Sequence, residues 1–180
     1  VKNLGAMGDA GAVTGKKELI DKVRMYRNHG RRTQFEYDVV GYNSRIDNLQ
    51  AVVIESKLKK LNEWTEKKRK ICHRYTAELK GIVKCPEEAP WSYHTYYVYV
   101  IETPERTRNA LQKHLKAKGI QTNIHYRSPT HTTKAFEQYG VRLPRTEYVC
   151  DNILSLPCYF TLPKHHQDYI IKAIKEFYNS

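Results

Sequence analysis

The sequence predicts an α/β fold in which a long connecting helix leads into a small layer of strands and helices, and three features point there. From Asp47 to Leu79 apolar residues recur at helical spacing, with Leu49, Val53, Leu61, Trp64, Tyr75 and Leu79 falling roughly on one face and lysines crowding the other. After Pro90 the text changes to an aromatic and β-branched run, Tyr93 to Ile101, which suits a strand. Helix-like and strand-like segments then alternate toward the C-terminus. A hydrophobic share of 40% in 180 residues is enough to pack a core for one compact domain or two small ones.

Taken in order, residues 2–15 are punctuated by Gly5, Gly8, Gly11 and Gly15 around an apolar piece, Ala10 to Thr14. They read as a turn, a short buried strand and another turn. Lys16 to His29 carries Leu19, Ile20, Val23 and Tyr26 at helical spacing, and Gly30 supplies a C-terminal stop. Arg31 to Gly41 has no clear period and reads as an exposed loop. Ser44 is placed to cap the long helix, with Asp47 where an acidic side chain meets free backbone N–H groups. A helix of that length reaches beyond one domain, and the stretch from Gly81 to Pro90 breaks it. Beyond the strand at Tyr93–Ile101, a helix is expected over Pro104–Lys118, a second strand over Ile120–Tyr126 and a last helix over Lys164–Tyr178.

Lys and Arg number 31 against 19 Asp and Glu, a net charge of +12. Such an excess suits nucleic acid, an anionic membrane or a phosphorylated ligand, and composition alone does not choose. The run Lys67-Lys68-Arg69-Lys70 supplies the solvated side that an amphipathic helix needs, so nucleic acid is not an expected partner. Apolar runs fall far short of the roughly 20 residues that cross a bilayer, and no signal segment follows Val1. The expectation is a soluble, cytoplasmic protein without a membrane partner. Cys72, Cys85, Cys150 and Cys158 contain no C-x-x-C pair and read as reduced thiols, with no metal site expected.

Lys2 admits two readings from its surroundings. It is a solvated terminal lysine beside turn-forming glycines, or a lysine on a Gly-punctuated turn that forms a Schiff base with an aldehyde cofactor. Asn43 by itself reads as a turn asparagine before the Ser44 cap. His125 and Tyr126 follow a strand candidate, and His131 stands nearby.

Five blocks then occur in order: Lys2 through Val13, Arg27-Asn28-His29-Gly30, Gly41 through Ala51, Gly119 to Thr122 with His125-Tyr126, and Ile153 through Pro157. Together they resemble the DegT/DnrJ/EryC1/StrS family of pyridoxal-phosphate-dependent sugar aminotransferases across nearly the whole chain. The resemblance implies the C-terminal portion of a fold-type I enzyme. Residues 1–46 would end the large cofactor domain, 47–81 would form the long connecting helix, and 82–180 the small α/β domain. Chains of that family are roughly twice as long, so the carboxylate that pairs with the pyridine nitrogen and the aromatic that stacks on the ring have no counterpart here.

By the same resemblance, Lys2 matches the catalytic lysine that binds pyridoxal 5′-phosphate. Asn43 matches the asparagine that reaches the cofactor phosphate of the other subunit, its amide N–H₂ donating while the carbonyl is pinned elsewhere. His125 and Tyr126 match a pair close to the sugar-nucleotide pocket. Where the family has a proline directly after this pair, Arg127 and Ser128 intervene before Pro129, and His131 is read as a surface or internally satisfied histidine. The implied partners are a nucleotide-sugar substrate, an amino-acid donor such as glutamate, and a second copy of the chain in a homodimer with shared active sites. A non-catalytic binding or regulatory member of the same family is the rival expectation.

Overall fold

The computed structural model describes residues 2–179; Val1 and Ser180, the outer ends of the expected ranges 1–46 and 82–180, lie outside the described residues. The chain divides into two compact units, Val1–Leu61 and Asn62–Ser180.

The first unit contains α1 (Lys17–Tyr26) and α2 (Asn48–Leu58). Gly30 ends the α1 region as expected: its φ is 77°, and its N–H returns to Met25 O at 2.9 Å. The chain loops out and comes back across this end. Tyr42 N–H donates to Tyr26 O at 2.7 Å, His29 N–H to Tyr42 O at 2.9 Å and Ser44 N–H to Arg27 O at 2.9 Å, so that Asn28 and Asn43 form a bridge pair. The two backbones touch here. A Cβ on Gly30 would lie 1.7 Å from Val39 O, and one on Gly41 2.2 Å from Gly30 N, so both positions require glycine.

Two expectations in this unit are corrected. Ala10 to Thr14 is exposed and forms no strand, because a short apolar run needs a paired neighbour to be buried and the described residues offer none. Ser44 does not cap a helix. α2 starts at Asn48 behind Asp47, with no side-chain cap bond, while Ser44 is drawn to the end of α1 through its own N–H.

The expected single helix from Asp47 to Leu79 is two helices, because α3 (Leu61–Leu79) follows α2 only after a turn at Lys59–Lys60. Lys57-Leu58-Lys59-Lys60 contains neither Gly nor Pro to announce the turn. The pattern of burial does change there: Leu49 and Val52 of α2 are exposed, whereas α3 buries one side through Thr65, Lys68, Cys72, Tyr75 and Leu79.

The second unit continues with β1 (Tyr99–Glu102), α4 (Arg108–Ala117), α5 (Pro144–Asn152), β2 (Ile153–Leu156) and α6 (Lys164–Asn179). β1 and β2 pair antiparallel, from Tyr99 opposite Leu156 to Glu102 opposite Ile153. Single bridges add Lys84 beside β1 and Asn123 beside β2. Tyr75, Leu79, Tyr99, Ile101, Leu111, Leu115, Leu154 and Ile174 are fully buried and form the centre of the core. Gln167 on α6 donates to Ile71 O on α3 at 2.7 Å, flanked by the ion pairs Arg74–Asp168 and Lys175–Glu78. All four cysteines are free thiols. Cys72 Sγ and Cys158 Sγ lie 2.9 Å apart inside this core, where the neighbouring thiol and burial push the Cys72 thiol up.

The expected strand at Tyr93–Ile101 shrinks to its last residues, since upstream N–H groups go to side chains. Glu88 takes the His94 N–H at 2.6 Å and His94 Nδ1 the Tyr96 N–H at 2.8 Å, which removes them from any ladder. The strand expected over Ile120–Tyr126 keeps only the Asn123–Ser155 bridge. Helices are present within Pro104–Lys118 and over Lys164–Asn179. α5 and β2 were not expected; Pro144 in the first turn of α5 is the signal that announces that helix. Among the described residues no helix is long and apolar enough to cross a membrane.

Candidate functional site

Lys2 is exposed at the head of the Gly-punctuated turn, where Gly5 has φ 64° and Gly8 φ 138°. Two side chains of α2 meet this turn. Lys57 Nζ donates to Gly5 O at 2.6 Å, and the Gln50 amide lies where a Cβ on Gly8 would come within 3.4 Å of it. Gln50 and Lys57 are seven residues apart, two turns along one face of α2, which is why one helix meets the loop at two points. Gln50 Oε1 is buried and has no hydrogen-bond partner among the described residues.

Asn43 sits in the same unit as Lys2, on the segment bridged to Asn28. Arg45 Nε donates to Asn43 Oδ1 at 3.2 Å, and Arg45 Nη1 donates to Asn28 Oδ1 at 3.0 Å. α2 begins only at Asn48, so no helix N-terminus lies at Asn43. What the amide has instead is a pinned carbonyl and an exposed N–H₂.

His125 and Tyr126 belong to the second unit. Asn123 Oδ1 accepts the Ile124 N–H at 2.8 Å, which turns Asn123 Nδ2 toward His125 Nε2 at 3.3 Å. His125 Nε2 therefore accepts, and Nδ1–H donates to Ser155 Oγ on β2 at 2.8 Å. The Tyr126 ring stands edge-on to the imidazole at 5.5 Å and is 65% exposed. His131 has a partner of its own: its Nε2 meets Glu147 Oε1 at 3.1 Å, and Glu147 also accepts the Leu143 N–H at 3.0 Å. The His131 hydrogen bond, followed by the Leu143 N–H, holds the Glu147 carboxyl below its ordinary range.

Arg45, Lys57 and Ser155 are supports that sequence reasoning did not single out. Arg45 was legible as a donor two residues after Asn43, on the same side of an extended segment. Lys57 and Ser155 carried no such signal, because their partners Gly5 and His125 are distant in sequence. A cavity of about 640 Å³ between α3 and α6 is lined by Arg74, Glu78, Asp168 and Lys175, whose charges already pair with one another. Among the described residues no three His, Cys, Asp or Glu side chains gather as metal ligands.

Comparison with known proteins matches residues 1–175 to the DegT/DnrJ/EryC1/StrS aminotransferase family. A pleiotropic regulatory protein of Geobacillus stearothermophilus is 38% identical, the match covering 98% of this chain and 49% of the relative. The dTDP-3-amino-3,4,6-trideoxy-alpha-D-glucose transaminase of Streptomyces venezuelae is 34% identical, over 98% of this chain and 48% of that protein. The crystal structure of a DegT DnrJ EryC1 StrS aminotransferase from Brucella abortus superposes with a TM-score of 0.92 at 36% identity, over 99% of this chain and 48% of that one. The chain spans about half the length of the curated relatives it matches.

Proposed function

The chain belongs to the DegT/DnrJ/EryC1/StrS aminotransferase family, and we propose that it serves as the C-terminal part of an enzyme that transfers an amino group to a keto group on a nucleotide-linked sugar. The fold is that of the C-terminal part of a fold-type I enzyme, and the cofactor of the family is pyridoxal 5′-phosphate. Residues 1–46 end the large cofactor domain, 47–81 connect and 82–180 form the small domain; the division between the compact units falls inside the connecting segment, at Leu61. The observation that carries the functional reading is the extent of the family match, which runs from the Lys2 turn through the Asn43 crossing to α6.

The donor set fits the cofactor. Lys2 offers a primary amine on a turn anchored by Lys57, and Asn43 offers an amide N–H₂ whose carbonyl is already engaged. When bound, the cofactor supplies an electron sink for the pair left at the amine-bearing carbon. The Lys2 amine holds the cofactor at rest, and once freed it takes the proton from the amino donor's α-carbon and returns one on the other side of the exchange. Asn43 Nδ2 donates to the phosphate across the interface of a homodimer. His125, its tautomer set by Asn123 and Ser155, and Tyr126 face the nucleotide sugar. Glutamate serves as donor, and the enzyme works in the cytoplasm, making amino sugars destined for polysaccharides.

The intact subunit, incubated with glutamate and nucleotide-linked keto sugars, is expected to yield an aminated nucleotide sugar by mass spectrometry. A second reading comes from the 38% identical relative, named a regulatory protein: this chain then binds or regulates without turnover. An intact subunit that takes up no cofactor and makes no product with any keto sugar supports that reading instead.

A further inference from the structure

The geometry points to Arg45 as a positioning residue that sets the orientation of the Asn43 amide and so directs its N–H₂ toward a phosphate; this rests on the reading of Asn43 as a phosphate ligand. Asparagine has two nearly symmetric amide orientations, and an exposed one interchanges freely unless a neighbour distinguishes oxygen from nitrogen. Arginine makes that distinction absolutely, since its guanidinium has donors and no acceptor. With Arg45 Nε 3.2 Å from Asn43 and Nη1 3.0 Å from Asn28, both asparagines must present Oδ1 to it. The Asn43 N–H₂ is thereby turned to the opposite side, and Nδ2 has no partner among the described residues.

The anchor itself is rigid. Asn28 and Asn43 lie on backbones locked by the bridge between them and by the Gly30–Gly41 crossing, where no side chain fits. The planar fork of Arg45 spans the two amides as a brace, and its two contacts leave the side chain one geometry in place of many. A lysine at the position offers a single nitrogen on a flexible stem in place of a planar fork, and so holds the two amides less firmly. The cost of orienting Asn43 is therefore met before any ligand arrives, which is how preorganisation raises affinity without a new contact to the ligand.

The test uses the intact enzyme and two probes, pyridoxamine 5′-phosphate and pyridoxamine without its phosphate, neither of which needs the Lys2 linkage. Equilibrium dissociation constants are measured by fluorescence titration for Asn43→Ala, Arg45→Ala, Arg45→Lys and the Asn43→Ala/Arg45→Ala double variant. Arg45→Ala is expected to weaken the phosphorylated probe by about 5- to 10-fold, less than the roughly 13- to 160-fold for complete loss of a hydrogen bond to a charged group because the amide is freed and not removed, and to leave the dephosphorylated probe unchanged. The double variant is expected to bind no more weakly than Asn43→Ala alone, and Arg45→Lys to recover little. Asn28→Ala, which removes one end of the brace, is expected to give a smaller loss in the same direction. If Asn43→Ala costs nothing, the phosphate reading of Asn43 fails. If Asn43→Ala weakens the phosphorylated probe while Arg45→Ala does not, that reading stands and the positioning role is overturned. Additive losses in the double variant, or full recovery with lysine, also overturn it, because Arg45 would then act on the ligand through its own charge.

Discussion

The two units treat their apolar residues in opposite ways. Every buried hydrophobic side chain among the described residues lies in the second unit, from Cys72 to Ile174, whereas the first unit leaves Met7, Phe35, Val40, Tyr42, Leu49 and Val52 between 65% and 90% exposed. The first unit is held instead by backbone: the Tyr26, Arg27, His29 and Tyr42 hydrogen bonds and the contact of Gly30 with Gly41. The difference teaches where each job is done. The second unit holds the buried core, and we propose that the first carries the cofactor-facing residues on a surface completed by the rest of the large domain and by a second subunit.

The largest effect expected is chemical and confined to the first unit. Lys2→Ala in the intact enzyme should lower transamination by at least about 10³-fold, on the scale of removing a positioned proton-transfer group, with no shift in thermal unfolding of the second unit; steady-state assay and calorimetry check the two halves. Asn43→Ala subunits mixed with Lys2→Ala subunits should recover activity from one intact site per hybrid dimer if the two residues serve one site from different chains. A mixture whose activity does not rise above that of the Asn43→Ala parent after verified exchange would show that they do not.

Stability should divide the other way. Leu154→Ala, at a fully buried position of β2, should cost about 2–5 kcal/mol in denaturant unfolding, whereas Leu49→Ala, 85% exposed, should stay within about 0.5 kcal/mol in the same 180-residue chain. A comparable loss at Leu49 would break the contrast between the units. That chain alone, titrated with pyridoxal 5′-phosphate, should show no saturable stoichiometric absorbance band and no turnover.

A further expected effect is a pH dependence in the second unit. Glu88 takes a forked pair from Arg69 at 2.7 and 3.1 Å and the His94 N–H at 2.6 Å. The Arg69 guanidinium, followed by that N–H, brings its carboxyl down from 4.5 to about 2. Since the folded value is depressed, this stabilisation is present above the unfolded value near 4.5 and fades as pH falls from there toward 2. Glu88→Gln should therefore lie below wild type in denaturant midpoint at pH 7 and converge on it between pH 4.5 and 2; a constant gap across that window would point to lost packing instead.

Helices with one apolar side were legible in the sequence: the Gly30 stop, the helix within Pro104–Lys118 and α6 follow from periodicity and punctuation. What was not legible depends on partners far away in the chain. The Tyr93–Ile101 run has strand composition, yet Glu88 and His94 take the N–H groups that a ladder would need. β2 is a short apolar run whose strand state comes from pairing with β1, and α5 is polar and brief, with only Pro144 to announce it. The break at Lys59–Lys60 has no Gly or Pro behind it. In the candidate site, Lys2 and Asn43 stood out through ordered blocks and not through local pattern, and Lys57, Arg45 and Ser155 became visible as supports once the chain was folded.

Borohydride reduction of the intact holoenzyme followed by peptide mapping tests the role of Lys2 most directly. The expected result is one stoichiometric pyridoxyl label, on Lys2, lost in Lys2→Ala and retained in Asn43→Ala. A label on another lysine, or none at saturating cofactor, would contradict the assignment of this chain as the part of the enzyme that carries the cofactor-binding lysine.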